Sequence, residues 1–406
     1  VKCIRSVLDQ DYPCYDLRFV LDSKDDPAWP VVEEIIEDIH DPPARIKLLA
    51  NPLKSCSLKC SSLIQAIAEL DESYEIVALL DSDVVPHRLW LRDLLAAFRD
   101  ARVGATTGIR WFIPDQINWG SLTRHVWNTH AVVLMYWLDV AWGGSLAIRT
   151  AVIREARLLE RWRHTFVEDT PLSKFLHRLG LKLELVPAVT MIDQQSCSVG
   201  DFLRWSNRQL LYCRLHHSGW RVILIYGLAS NGLLIAMLGL VVFGLLAEQP
   251  EVSQLAGSML VGYLLIMTLL LVALELRVRD ILVAQGKVIA RNNNLGATYV
   301  LVPSIVLAQL LFGPGLLRTA MARCVEWRGI RYRIHSGNQC GNARIQELRD
   351  VKWGFVIIVY SRAGDAHHLA ASGLVHISGL APYTCLNNAR RSPWPIIPCR
   401  TSTRWR

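Results

Sequence analysis

The polar and apolar positions of this chain fall into two regimes. Up to residue 218, short apolar runs alternate with amphipathic stretches; beyond it, the apolar runs are long and nearly free of charge. Residues 17–21 form a run of strand length that ends at Asp22, and residues 29–39 carry helical spacing. A second strand is predicted at 45–49, a helix at 63–70, and a continuous apolar strand at 75–80 that runs into Asp81-Ser82-Asp83. A helix at 90–98 and a strand at 103–107 continue the alternation. This order predicts an α/β head with a Rossmann-like, mostly parallel sheet covered by helices on both faces. Such sheets bind ligands at the carboxyl ends of their strands, so acids that follow strands are the residues to weigh.

Residues 222–247 hold no charge and are long enough to cross a bilayer, and 255–274 is a second stretch of the required length. The turn between them, Glu248-Gln249-Pro250-Glu251, is acidic. A third apolar stretch, 297–317, is interrupted by Pro303 and by Gly313-Pro314-Gly315. Arg204, Arg208, Arg214 and Arg221 precede the first stretch, and Arg277, Arg279, Lys287 and Arg291 follow the second. The positive-inside rule then predicts a multi-pass integral membrane protein with its head on the cytoplasmic face. Arg318, Arg323, Arg328, Arg331 and Arg333 follow the third stretch; keeping them on the same side predicts that 297–317 re-enters. The expected regions are a head over 1–218, a transmembrane and interfacial part over 219–334, and a tail over 335–406. The tail lacks periodicity apart from 355–360 and is read as disordered or out of frame.

Composition and charge refine this picture only slightly. The net charge is +8, but from Val351 onward seven Lys or Arg face the single acid Asp365, so the rest is close to neutral. No nucleic-acid partner is expected; basic residues beside apolar spans suit anionic membrane lipids. Ten cysteines in a chain of 406 residues do not make a disulfide scaffold. Cys56 and Cys60 lack the finger-spaced partners of a zinc site and are expected as buried thiols.

Four features carry candidate chemistry. Asp81 and Asp83, directly after a buried strand, can share a divalent cation that bridges a diphosphate; the bland alternative is a solvated turn. Asp22, with Asp25 and Asp26, follows a neighbouring strand, where a carboxylate can accept hydrogen bonds from a base or ribose; the alternative is an Asp26-Pro27 turn opening the next helix. Glu168-Asp169 comes after Gly143-Gly144, glycines that permit close backbone approach. An acid there can take a hydroxyl proton, or merely favour a helix dipole. Arg204-Trp205 can offer a guanidinium to a diphosphate and an indole to a sugar, or anchor an interfacial helix.

The order and spacing of these features, followed by apolar spans, resemble the membrane-bound family 2 glycosyltransferases over Val1 to about Ile334. Ser6-Val7-Leu8-Asp9-Gln10-Asp11-Tyr12-Pro13 looks like that family's first helix and turn, so the strand that precedes them in the family is expected to be missing. Asp25-Asp26-Pro27-Ala28, Ser57-Leu58-Lys59-Cys60-Ser61-Ser62-Leu63 and Trp327-Arg328-Gly329-Ile330-Arg331-Tyr332-Arg333 are similar to the ceramide glucosyltransferase-like branch.

The resemblance implies a nucleotide-diphospho-sugar transferase fold. It implies Asp26, Asp81 and Asp169 as signature aspartates, with Asp169 the catalytic base and Asp81 and Asp83 holding magnesium or manganese. Asp22, Asp26, Lys59, Asp81 and Arg204 would meet a nucleotide-sugar donor of the UDP type. Gly143, Gly144, Glu168 and Trp205 would lie toward a lipid or glycan acceptor. The family's (Q/R)xxRW motif is imperfect, because Asp201 stands where Gln or Arg is expected. The reaction expected is one inverting in-line displacement; the rival readings are processive polysaccharide synthesis and an inactive membrane homologue.

Overall fold

A computed structural model describes residues 1–37, 39, 42–287, 295–327, 329–335, 339–344 and 355–362. The head opens with α1 (Lys2–Leu8), β1 (Tyr15–Leu21), α2 (Ala28–Glu37), β2 (Ala44–Leu48), α3 (Leu58–Ala68), β3 (Tyr74–Asp81) and α4 (Trp90–Ala96). It continues through β4 (Val103–Thr107), β5 (Arg110–Phe112), α5 (Trp119–Leu138), β6 (Ser145–Arg149), α6 (Thr150–Glu155), α7 (Leu158–Trp162), α8 (Leu172–Arg178), β7 (Lys182–Leu185), β8 (Met191–Asp193) and α9 (Val199–His216). Three long helices follow, α10 (Trp220–Leu246), α11 (Pro250–Ala284) and α12 (Leu295–Met321). The strands β9 (Cys324–Trp327), β10 (Ile330–His335), β11 (Gln339–Arg344) and β12 (Phe355–Arg362) come last.

The main sheet runs β2-β1-β12-β3-β6-β4-β7. Its side chains alternate between two cores. Val77 and Leu79 of β3 join Leu63 and Ile67 of α3 and Leu176 of α8 on one face. Ile76, Ala78 and Leu80 join Ile4 of α1 and Trp90 and Leu94 of α4 on the other. Each fully buried Leu or Ile there is worth about 1.5–3 kcal/mol, which is why β3, apolar at every position from Ile76 to Leu80, sits in the middle.

The α/β head followed by apolar helices is as the sequence predicts, but the sheet is mixed rather than mostly parallel. β1–β2 and β4–β7 pair parallel. β1–β12, β12–β3, β3–β6 and β4–β6 pair antiparallel. Helix α2 supplies the crossover that a parallel β1–β2 pair needs. The antiparallel pairs arise because β6 returns after α5 and because β12 arrives from the far end of the chain. The tail read as structureless thus contributes a central strand, whose Ile357 is fully buried. Its residues 336–338, 345–354 and 363–406 lie outside the described part, as does Arg328 of the terminal motif.

Trp220–Leu246, Pro250–Ala284 and Val300–Met321 are long and apolar enough to cross a membrane. α12 continues through Pro303 and Pro314, so the break anticipated within 297–317 does not occur. Neighbouring helices supply partners near such prolines: Asn231 of α10 donates to the Gln309 carbonyl at 2.6 Å. The end of α12 lies against the head. Arg214 donates to the carbonyls of Thr319 and Ala322 at 2.6 and 2.7 Å, and Ile330 and Tyr332 of β10 pack with Phe166 and Val167. The strand β10, which carries Arg331 and Arg333, therefore sits beside the head.

Candidate active site

β3 ends at Asp81 on the rim where β6 begins. The register Leu80↔Ser145 brings the glycines before β6 to that rim, and the Asp81 N–H donates to the Gly144 carbonyl at 3.4 Å. The antiparallel return of β6 is thus what unites the Gly-Gly pair with the Asp-Ser-Asp turn. The Gly143 N–H donates to Asp169 Oδ2 at 2.7 Å. Asp169 Oδ1 accepts from the Thr170 N–H and, at 2.9 Å, from the Thr170 hydroxyl. The Asp169 carbonyl accepts from the Leu172 N–H at 2.9 Å, so the same residue opens α8. Any larger residue at 143 must displace the Glu168 carboxylate, since a Cβ there would lie 1.8 Å from Glu168 Oε1.

Lys59 enters from α3, whose N-cap Ser57 accepts from the Cys60 N–H at 3.2 Å. Its ammonium donates to Asp81 Oδ1 at 2.7 Å and to the Gly143 carbonyl at 3.4 Å. It also lies 2.7 Å from Glu168 Oε1, an ion pair set off the line of a hydrogen bond. Burial alone would lower the Lys59 ammonium; Asp81, Glu168 and Asp169 outweigh it and hold Lys59 well above the ordinary lysine range. Burial pushes the Glu168 carboxyl up to about 7, with Lys59 pulling the other way and Asp169 adding to the rise.

Lys59, Asp81, Asp83, Gly144, Glu168, Asp169 and Trp205 all line one cavity of about 330 Å³. From the carboxylates it continues between α5, α9, α10 and α12, where Leu134, Leu138, Ile223, Tyr226 and Phe312 form its walls. Asp22 and Asp26 lie farther along the same rim. They follow β1, and β12 stands between β1 and β3, so two strand spacings, about 10 Å, part them from Asp81. Asp22 Oδ1 accepts from the Ser62 hydroxyl at 3.4 Å. Asp26 is buried; its Oδ1 accepts from the Ala28 N–H at 2.8 Å, and its Oδ2 has no hydrogen-bond partner among the described residues.

Arg204 is not brought to the cavity. Its side chain is 76% exposed and paired with Asp201, one turn earlier on α9. Asp201 also closes a capping box with Ser198, so the acid that replaces Gln or Arg in the motif holds Arg204 outward. Arg208, one turn farther on, lines the cavity with Trp205. The sequence pattern also missed Arg110, Trp142 and Tyr212, which line it too. Position offered a signal for Arg110, which follows the 103–107 strand at the ligand-binding end; Trp142 directly precedes the glycine pair.

Among the described residues no three His, Cys, Asp or Glu side chains gather to hold a metal. Asp81 and Asp83 nevertheless converge: Asp81 Oδ2 and Asp83 Oδ1 lie 3.6 and 3.9 Å from the same nitrogen of Arg110. Two hard oxygen donors fit magnesium or manganese, which take one or two carboxylates and complete their shell with phosphate oxygens and water.

Compared with known families, residues 2–340 match the family described as glycosyl transferase family 21. That family is ceramide glucosyltransferase-like and of the family 2 type, so the match is narrower than the family 2 resemblance. No curated protein matches the chain.

Proposed function

Because the chain belongs to glycosyl transferase family 21, we propose that this glycosyltransferase moves one sugar, with inversion, from a UDP-type nucleotide-sugar to a lipid hydroxyl delivered from the bilayer. The observation that carries this reading is the course of the cavity, from Asp81, Asp83 and Asp169 to Ile223, Tyr226 and Phe312 on helices long and apolar enough to span. A polar end suits a diphosphate and a hydroxyl; an apolar end between helices suits an acyl chain. The basic residues that flank the spans favour a head on the cytoplasmic face.

Asp169 acts as the base. Its carboxylate, oriented by the Gly143 N–H and by Thr170, takes the acceptor proton as the acceptor oxygen bonds to the anomeric carbon. The bond from that carbon to the donor phosphate oxygen breaks, and its electron pair leaves with the nucleoside diphosphate. Asp81 and Asp83 would hold a magnesium or manganese ion, which supplies charge neutralisation at the diphosphate when bound. Lys59 contributes a fixed positive charge at the same end, and Arg208 takes the part the motif assigned to Arg204. Asp22 and Asp26, which follow β1 on the same rim, supply carboxylates for the nucleoside. Glu168 holds Lys59 and buttresses the Gly143 turn.

Membranes containing the protein, incubated with labelled nucleotide-sugars, are expected to incorporate label into the lipid extract. Asp169→Asn is expected to abolish that incorporation while donor binding persists. Label in a polymer would instead favour processive synthesis, and loss of donor binding together with transfer would remove Asp169 from the role of base.

A further inference from the structure

The cavity holds a cation that neither the motif pattern nor the proposed chemistry uses. Arg110 opens β5, and its guanidinium lies between two sets of acids. Nη2 is 3.6 Å from Asp81 Oδ2 and 3.9 Å from Asp83 Oδ1, while Nη1 is 3.7 Å from Asp193 Oδ2 on β8. None of these is the 2.7–2.9 Å expected of a closed charge-assisted hydrogen bond. Lys59, by contrast, is closed on Asp81 at 2.7 Å. The backbone of Arg110 is anchored: its carbonyl accepts from Asn128 Nδ2 at 2.9 Å, and β5 pairs with β8 at Arg110↔Met191. The guanidinium itself rests on the Trp142 ring, 5.0 Å from the centroid, a face along which a planar cation can slide. The backbone is thus fixed, the support is planar, and acids lie on two sides of a guanidinium that closes on none of them.

We propose that Arg110 is a movable counter-cation for the donor site. Without donor it neutralises Asp81 and Asp83 and competes with a divalent cation for the same two carboxylates. When a nucleoside diphosphate enters, its oxygens give the guanidinium a new anionic partner. Arg110 then withdraws along Trp142 toward Asp193 and the diphosphate, and the carboxylate pair is released to the cation. The binding of cation and nucleotide is thereby coupled through one side chain, and Asp193 is the positioning residue that sets where it rests. The inference builds on the donor-site reading above.

Manganese binding to the purified full chain in detergent tests it, read from the paramagnetic resonance signal of free Mn²⁺, with and without UDP. Wild-type protein is expected to bind Mn²⁺ weakly alone and about tenfold or more tightly with saturating UDP, as reciprocal coupling requires. In Arg110→Gln the affinity for Mn²⁺ alone is expected to rise about tenfold, because a neighbouring positive charge is gone, and the UDP dependence to shrink toward unity. Asp193→Asn is expected to act in the opposite direction, weakening Mn²⁺ binding in the absence of UDP, since Arg110 then has only Asp81 and Asp83 to rest on. Opposite signs from two variants cannot come from general misfolding. Unchanged Mn²⁺ affinities in both variants would overturn the role of Arg110 while leaving the donor site intact. Failure of wild-type protein to bind Mn²⁺ even with UDP would overturn the cation site itself and Arg110's role with it.

Discussion

Gly143→Ala adds one methyl at the point where Glu168, Asp169 and Lys59 meet. A methyl at 143 would lie 1.8 Å from Glu168 Oε1, 2.9 Å from its Cδ and 3.1 Å from Asp169 Oδ2. Real Cβ atoms do not approach other atoms closer than 3.0 Å, so Glu168 or the turn must give by at least about 1.2 Å. Glu168 is 1% exposed and its oxygen is 2.7 Å from Lys59, so moving it aside breaks that pair. Overpacking of this kind costs about 1–3 kcal/mol of stability. The turn also carries the N–H that orients Asp169, and a misplacement of about 1 Å at a reacting group costs on the order of a hundredfold in rate, or about 2.7 kcal/mol. Transfer to lipid is therefore expected to fall about a hundredfold while the purified protein still unfolds cooperatively at a modestly lower temperature. The cause is separable by a double-mutant cycle: in a Glu168→Ala background the colliding carboxylate is gone, so Gly143→Ala should cost far less there. Full activity in Gly143→Ala, or costs that simply add, would refute the close approach of Gly143 and Glu168.

Two further expectations follow from the site. The Glu168 carboxyl, raised to about 7, is ionised and paired with Lys59 above that pH and protonated below it, so activity should decline on the acid side of neutrality rather than near the 4.3 of a free glutamate. The stability linked to that raised value has the opposite sign: it is present at low pH and lost as pH rises through about 7. A pH–rate profile of kcat/KM that is flat from 8 to 5 would count against this, and Glu168→Gln should erase the inflection. The two arginines of α9 should separate in alanine variants. Arg204→Ala, which loses only an exposed pair with Asp201, should leave transfer within about twofold, whereas Arg208→Ala should lower it about a hundredfold; the reverse order would restore Arg204 to the donor site.

The sequence was most informative where one local signal decided the outcome. The apolar run into Asp81-Ser82-Asp83 fixed both the burial of β3 and the rim at which its acids emerge. It was least informative where direction or partner choice came from afar. Nothing in residues 145–149 says whether β6 pairs parallel or antiparallel; the long excursion through α5, a helix the periodicity did not reveal, decides it. The apolar character of 355–360 was visible, but its place between β1 and β3 is a contact with residues near the other end of the chain. Arg204 failed for a local reason: an acid three residues earlier on the same helix competes for its guanidinium, and a motif read by residue type alone does not weigh that competition. Asp26 shows the converse, a residue whose helix-opening role does not use up its carboxylate. One of its oxygens opens α2, and the other is left buried without a described partner.

Head and helices also cannot be treated as separable catalytic and anchoring parts. Trp111, next to Arg110 on β5, donates its indole N–H to Glu275 of α11 at 2.8 Å, and Arg279 pairs with the same carboxylate at 2.8 Å. Val278 and Leu282 of α11 pack against Ile109 and Trp111, and Gln285 just beyond the helix donates to the carbonyls of Ala188 and Thr190 at 2.6 and 3.2 Å. The strand that positions Arg110 over the carboxylates is therefore clamped by the same helix that offers the longest apolar stretch. On the opposite wall, Leu210 of α9 is buried in a cluster with Ile223 of α10 and Leu316 of α12. Remove the helices and the cavity loses the wall formed by Ile223, Tyr226 and Phe312, while Ile109, Trp111 and Leu210 lose apolar cover at about 1.5–3 kcal/mol for each large side chain. The apolar end of the cavity is thus made jointly by head and helices, so the two cannot be separated without dismantling it.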